Sequence, residues 1–368
     1  MTLNGQVIWP TEGGAWHYAG GTVGHTVRSA SEDMLASLAA QEALPTALPV
    51  KKGDCLAVVA TCDEPSNAYL VMAPSVSYTA GQTAPVTVEA GISVYDRFAV
   101  RYYLTPTGDA TSCGLLIGGE AVPGAKQADG TYLVTVGDIA AKELNDALCV
   151  TPYAVMAGAR VEAAPLTISP AALLLRYVTG QAGEKTADLA AAILEYGAAA
   201  QVYFGYRAEA PANEALPAPY RGRSPGGTYQ SVCGGTPLLP VHTVLPQGIT
   251  LRLQDELAFC LYAEAAEGKT LFAQLSAGAE FADAVTVPMP YDAEKGCYAA
   301  AFGGIRPAAW DDPYYFRVVD GEGHTLSPML TYSVTSYAVR MADTSPALDA
   351  LLSAMLVFHE AAVACAAS

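Results

Sequence analysis

Positive charge is scarce in this sequence: 19 Lys and Arg stand against 36 Asp and Glu in 368 residues, a formal net charge of −17. Phosphate backbones are held by concentrated basic side chains, so nucleic acid and anionic membrane surfaces are poor partners. Charged residues of either sign reach only 15%, while hydrophobic ones make up 52%, which excludes a disordered, highly charged tail. Uninterrupted apolar runs of the ~18 residues needed for a membrane span are also missing. The nearest, Ala187 to Phe204 and Ala347 to Ala367, are broken by Asp188, Glu195, Asp349, His359 and Glu360. Both read as amphipathic helices, and no membrane insertion is expected. Met1 to Ala30 carries no basic stretch followed by an apolar one, so no secretory signal is visible there.

Chemistry-bearing motifs are equally sparse. Eight cysteines include no C-x-x-C and no pair at zinc-finger distance from a histidine, and they are too few for a disulfide scaffold. Buried thiols are the expectation. The five histidines form neither H-E-x-x-H nor an i, i+4 pair, so no metal is assigned. A G-x-S-x-G nucleophile elbow is absent. Gly13, Gly14, Gly20, Gly21 and Gly24 lack the G-K-[ST] of a phosphate loop and read as turn residues. Asp311 and Asp312 are adjacent, which on a strand points them to opposite faces; a glycosidase needs two carboxylates across one cleft. No catalytic residue and no cofactor is assigned.

What the chain does have is internal repetition, the first feature to seek because it organises everything else. Asp96-Arg97-Phe98-Ala99-Val100-Arg101-Tyr102-Tyr103 aligns with Asp255-Glu256-Leu257-Ala258-Phe259-Cys260-Leu261-Tyr262. Gly130-Thr131-Tyr132 aligns with Gly296-Cys297-Tyr298, Ile139 with Ile305, Asp146 with Asp312, Ser169 with Ser333 and Arg176 with Arg340. Leu189 to Ala200 then matches Leu351 to Ala362, placing Tyr196 over Phe358. The offset stays between 159 and 166 residues throughout, in constant order, which argues for duplication.

Each copy begins with period-2 alternation, as in Phe98, Val100 and Tyr102 or Leu257, Phe259 and Leu261, the signature of half-buried strands. Further strands are expected at Tyr132 to Val136 and Tyr314 to Val319, with turns at Asp129-Gly130 and Asp320-Gly321. Each copy then turns helical. Ser169-Pro170 and Ser345-Pro346 pair an N-cap serine with a proline at the tolerated first position. Gly197, Ala198 and Ala199 allow a helix to approach a neighbour closely. The expected fold class is α+β: two tandem units, each an Ig-like β-sandwich followed by a helical pair, plus a small N-terminal α+β segment. The expected boundaries are 1–73 for that segment, 74–216 for the first unit, 217–247 for a Pro/Gly-rich linker or opening strands, and 248–368 for the second unit.

Two stretches carry a resemblance. Thr135-Val-Gly-Asp-Ile-Ala-Ala-Lys-Glu-Leu-Asn-Asp146 and Leu194-Glu-Tyr-Gly-Ala-Ala-Ala-Gln-Val-Tyr-Phe-Gly-Tyr206 resemble a repeated module of large secreted or surface proteins of gut clostridia (Firmicutes), found there beside dockerins, leucine-rich repeats or carbohydrate-active domains. The resemblance spans roughly Ser75 to Ser368. In the second copy His359-Glu360 stands where the module has Gly-Ala. The family has no assigned chemistry; it implies an extracellular or cell-surface, non-catalytic accessory or adhesive role.

Aromatic residues are the remaining functional candidates, with 21 tyrosines and three tryptophans against eight phenylalanines. Trp310, Tyr314, Tyr315 and Trp16 are the candidate ligand-binding residues, offering flat faces to sugar rings or to a surface protein. The competing reading makes Trp310 a core residue capping one face of the Tyr314 strand. The expected function is surface recognition or adhesion, with glycan binding as its sharpest form. A phage virion structural or decoration protein, and a hydrolase with its site between the units, are the alternatives.

Overall fold

A computed structural model describes residues 2–3, 6–7, 56–57, 84–94, 98–180 and 182–367. The chain divides into two compact units, Met1–Ala80 and Gly81–Ser368. In the first, β1 (Thr2–Leu3) pairs antiparallel with both β2 (Gln6–Val7) and β3 (Leu56–Ala57). The N-terminal glycine loop and Trp16 lie outside the described residues.

Among its described residues the second unit is α+β, with antiparallel sheets and four helices. Its N-terminal half runs β4 (Val86–Ser93), β5 (Phe98–Pro106), β6 (Ala110–Ile117), β7 (Glu120–Pro123), β8 (Ala125–Lys126), β9 (Tyr132–Ile139), β10 (Leu148–Met156), β11 (Ala159–Glu162), β12 (Leu166–Ile168), α1 (Pro170–Thr179) and α2 (Glu184–Phe204). The C-terminal half runs β13 (Gly234–Gly235), β14 (Leu245–Arg252), β15 (Ala258–Glu264), β16 (Phe272–Ser276), β17 (Val285–Pro288), β18 (Tyr291–Asp292), β19 (Cys297–Phe302), β20 (Tyr314–Val319), β21 (Leu330–Tyr332), α3 (Val334–Met341) and α4 (Pro346–Ala366).

Strand order recurs between the halves. β4-β5-β9-β8 in one corresponds to β14-β15-β19-β18 in the other. The second sheet of the first half joins β7, β6, β10 and β12 as the last sheet joins β17, β16, β20 and β21. β11 extends only the first, and β13 only the last. A short 3-10 turn follows β9 at Ala141–Glu143 and β19 at Pro307–Ala309.

Alternation produces the cores. In β5, Val100, Tyr102 and Leu104 are wholly buried while Arg101 and Tyr103 face out, as the two-residue side-chain period requires. They share a cluster with Cys113 and Leu115 of β6 and Val150 and Ala154 of β10. In the C-terminal half, Phe259 and Leu261 of β15 meet Phe316 and Val318 of β20. That second cluster continues through α2 and α4 to Phe98 and Ile139, so the halves share apolar packing.

Helix boundaries follow the side chains at their ends. Ser169, Ser333 and Ser345 accept hydrogen bonds from the backbone N–H groups of Ala172, Ser336 and Leu348, satisfying donors that a helix leaves unpaired. α2 stops at Gly205, whose left-handed φ of 62° suits glycine. α4 has a mean hydropathy of 1.6 and is long enough to cross a membrane by length and composition alone. Here Leu348, Leu351, Leu352, Met355 and Phe358 are buried, and α4 lies along α2.

The Pro/Gly-rich stretch after α2 is a strap fastened by polar clips. Buried Gln201 accepts from the Ala212 N–H at 2.7 Å, Glu195 accepts from Asn213 and the Gly222 N–H, and Asp188 pairs with Arg223. Farther on, Glu360 of α4 accepts from the Gly226 and Gly227 N–H groups at 3.0 and 2.7 Å and from the Tyr229 hydroxyl at 2.9 Å. An irregular segment needs such partners for its backbone.

Candidate functional site

α2 passes over the 3-10 turn that follows β9. Gly197 makes this possible: a Cβ there would lie 2.7 Å from the Leu144 Cδ1 and 3.1 Å from the Ala141 carbonyl oxygen. The corresponding position of α4 holds His359, buried, with its Nδ1–H donating to the Pro307 carbonyl at 2.7 Å. A carbonyl only accepts, so the proton sits on Nδ1. Glycine brings one helix onto its turn; histidine hydrogen-bonds to the turn in the other half.

Between these two helix–turn contacts lies a cleft of about 320 Å³. Among the described residues lining it, all but Arg252, Asp255, Glu256 and Trp310 fall in pairs related by the repeat: Val94 with Leu253, Phe98 with Leu257, Asp138 with Gly304, Ile139 with Ile305, Ala141 with Pro307, and Tyr196 with Phe358. The site therefore sits where the two halves meet, and each supplies one wall. Asp138 and Gly304 share a left-handed backbone, φ 59° and 72°, so even this unusual conformation is duplicated.

The floor is aromatic. Phe98 stacks on Phe358 at 5.9 Å, Tyr196 on Phe358 at 5.8 Å, and Trp310 meets Phe358 edge-on at 5.4 Å. Burial pushes the Tyr196 hydroxyl far above the usual phenol range, keeping it neutral. The rim is polar. Arg252 and Glu256 form an ion pair at 2.8 Å. Lys142 of the first half reaches Asp255 of the second at 2.9 Å, with its own side chain only 10% exposed. Its stem passes the Phe204 ring, 5.7 Å from the ammonium.

The aromatic residues singled out from sequence do not make one platform. Trp310 is 3% exposed, so the open face expected of it is absent. Its indole N–H donates to the Ile305 carbonyl, His359 stacks on the ring at 6.5 Å, and Tyr196 and Phe358 close its edges. The apolar ring is worth more in this packed junction than in water. Tyr314 is half-buried and faces Phe259 at 5.4 Å; burial, reinforced by Asp312, raises its hydroxyl's pKa. Tyr315 is its neighbour on the same strand and so points to the opposite face. Trp16 lies outside the described residues.

The His359-Glu360 departure is structural. Burial pushes the Glu360 carboxyl up, but the bonds from Gly226, Gly227 and Tyr229 outweigh it and hold the group below the usual range. Asp146 and Asp312, aligned in sequence, differ in use. Asp146 receives the Tyr206 hydroxyl at 2.5 Å and pairs with Arg207; Asp312 is exposed. Of the cysteines, Cys113 and Cys297 are buried thiols, whereas Cys149 and Cys233 are exposed.

Sequence reasoning passed over Asp138, Arg252, Asp255 and Glu256 as a set. The signal was present in the alignment: Phe98/Leu257, Ile139/Ile305 and Tyr196/Phe358 are matched pairs, and all six residues line the cleft. The chain matches no protein-family model and no curated protein.

Proposed function

We propose that this protein is a non-catalytic recognition or adhesion module acting at a cell surface or outside the cell, with a glycan as its ligand. In this reading the halves of the second unit are two Ig-like β-sandwich repeats, each followed by a helical pair, like the surface-protein module that the sequence resembles. The junction cleft is the binding site. The observation carrying the proposal is the composition of that cleft: apolar and aromatic side chains below, a guanidinium and carboxylates at the mouth. Sites of this kind hold a ring by its apolar face and fix its orientation with a few polar groups. Both Asp255 and Glu256 are engaged in ion pairs, an arrangement suited to accepting hydroxyl hydrogen bonds.

A glycan array probed with the intact chain tests this. Binding to a defined plant or mucin glycan is expected, with loss in Leu257→Trp, which fills the cleft from half-buried Leu257. Binding that Leu257→Trp leaves unchanged moves the site elsewhere. An array with no binding removes the glycan reading.

A further inference from the structure

We infer that the tip at residues 237–242, between β13 and β14, seats in the surface of a lipid bilayer of no net charge, such as one of phosphatidylcholine. Exposed apolar side chains concentrate there. Among the described residues, five of the twelve exposed large hydrophobic side chains are Val232, Leu238, Leu239, Val241 and Leu245. At the tip itself Leu238, Leu239 and Val241 are 58%, 52% and 67% exposed. Apolar surface gathered in this way marks a membrane or protein contact. The tip is also held at both stems. Thr236 donates its N–H to the Met329 carbonyl and accepts from the Met329 N–H at its hydroxyl, each at 2.9 Å. The Thr243 and Val244 N–H groups both donate to the Leu326 carbonyl, at 2.9 and 3.0 Å.

The backbone of the tip suits an apolar medium, where an unpaired N–H is costly. Pro237 and Pro240 have no N–H. The Leu239 N–H donates to His242 Nδ1 at 3.0 Å, and the His242 N–H returns to the Leu239 carbonyl at 2.9 Å. Four of the six residues therefore present no free donor. Charge and residue type select the surface. Residues 224–251 contain no Lys, Arg, Asp or Glu, so nothing in the stretch attracts anionic headgroups, and a chain at −17 is repelled by them. A protein socket is anchored mostly by Trp, Tyr and Arg, with Leu and Val under-represented; the tip offers two leucines, a valine and two prolines. Seating at the headgroup boundary scales with buried apolar area and needs no membrane-spanning run. This inference does not rest on the glycan reading.

The test floats the full chain with vesicles of phosphatidylcholine alone and of phosphatidylcholine mixed with phosphatidylglycerol. Flotation with the neutral vesicles is expected, and less of it with the mixed ones. Leu238→Asp combined with Leu239→Asp should lower vesicle affinity at least about a hundredfold, roughly tenfold for each leucine. Both side chains are exposed, so that variant should melt with the parent. Leu238→Trp reports the contact directly: brominated phosphatidylcholine should quench its fluorescence beyond the quenching seen in the parent. No flotation with phosphatidylcholine, flotation that the aspartates leave intact, or binding that requires the anionic lipid overturns the inference. So does Leu238→Trp with no added quenching. An aspartate variant that melts well below the parent shows that this chain itself covers the tip. Self-association of the parent that the aspartates abolish, without vesicle binding, reassigns the tip to a protein contact.

Discussion

Replacing Trp310 by alanine separates a core residue from a binding platform. The indole is 3% exposed and donates its N–H to the Ile305 carbonyl at 3.2 Å. It is enclosed by Phe358, Tyr196 and His359 at ring distances of 5.4, 6.4 and 6.5 Å. Removing a buried tryptophan from such a site costs about 3–5 kcal/mol, because the surrounding rings cannot collapse into the space. The orphaned carbonyl adds about 1 kcal/mol where water does not reach it. With an unfolding entropy of about 2.1 cal/mol/K per residue, the unit Gly81–Ser368 shifts by roughly 1.7 °C per kcal/mol, so Trp310→Ala should melt at least ~5 °C below the parent by circular dichroism. Trp310→Phe keeps most of the ring and should recover more than half of that loss. Melting within about 1 °C of the parent, together with lost ligand binding, would refute the burial argument, since that small a shift corresponds to no more than ~0.6 kcal/mol.

Gly197→Ala sets two effects against each other: helix propensity favours alanine by about 1 kcal/mol, while crowding in a packed core costs about 1–3 kcal/mol. Leu144 is wholly buried and the Ala141 carbonyl is backbone, so neither yields easily; a net loss is expected in urea titration, and a gain refutes the close approach. Glu360 has a depressed folded-state pKa, so its contribution is present above the unfolded value of about 4.3 and is lost as pH falls through the folded value. Stability measured from neutral pH into the acid range should therefore fall less steeply in Glu360→Gln than in the parent, and parallel curves would refute the clip. Ala157 occupies the exposed β10–β11 turn at φ 48°, a left-handed conformation that asparagine tolerates better. Ala157→Asn should recover part of the roughly 1–2 kcal/mol that the left-handed conformation costs an ordinary L-residue, and a lower denaturation midpoint would count against that turn geometry.

The residues that act locally were legible in the sequence. Alternation of Phe98, Val100 and Tyr102 marked a strand, now β5, because a two-residue period shows which side chains are buried. Ser169 and Ser345 announced their helices, because a cap needs only the first turn of backbone to do its work. The small residues around Gly197 signalled a close contact, though not its partner. Everything that depended on which distant elements meet was decided in three dimensions. Trp310 became a floor residue, not a platform, because α4 encloses it through Phe358, 48 residues along the chain. The rim of Arg252, Asp255 and Glu256 acquired meaning only when Lys142, 113 residues earlier, arrived beside it. Local sequence sets the dihedral angles and caps of each element; the choice of which apolar faces bury one another belongs to the whole chain, and that choice made the cleft.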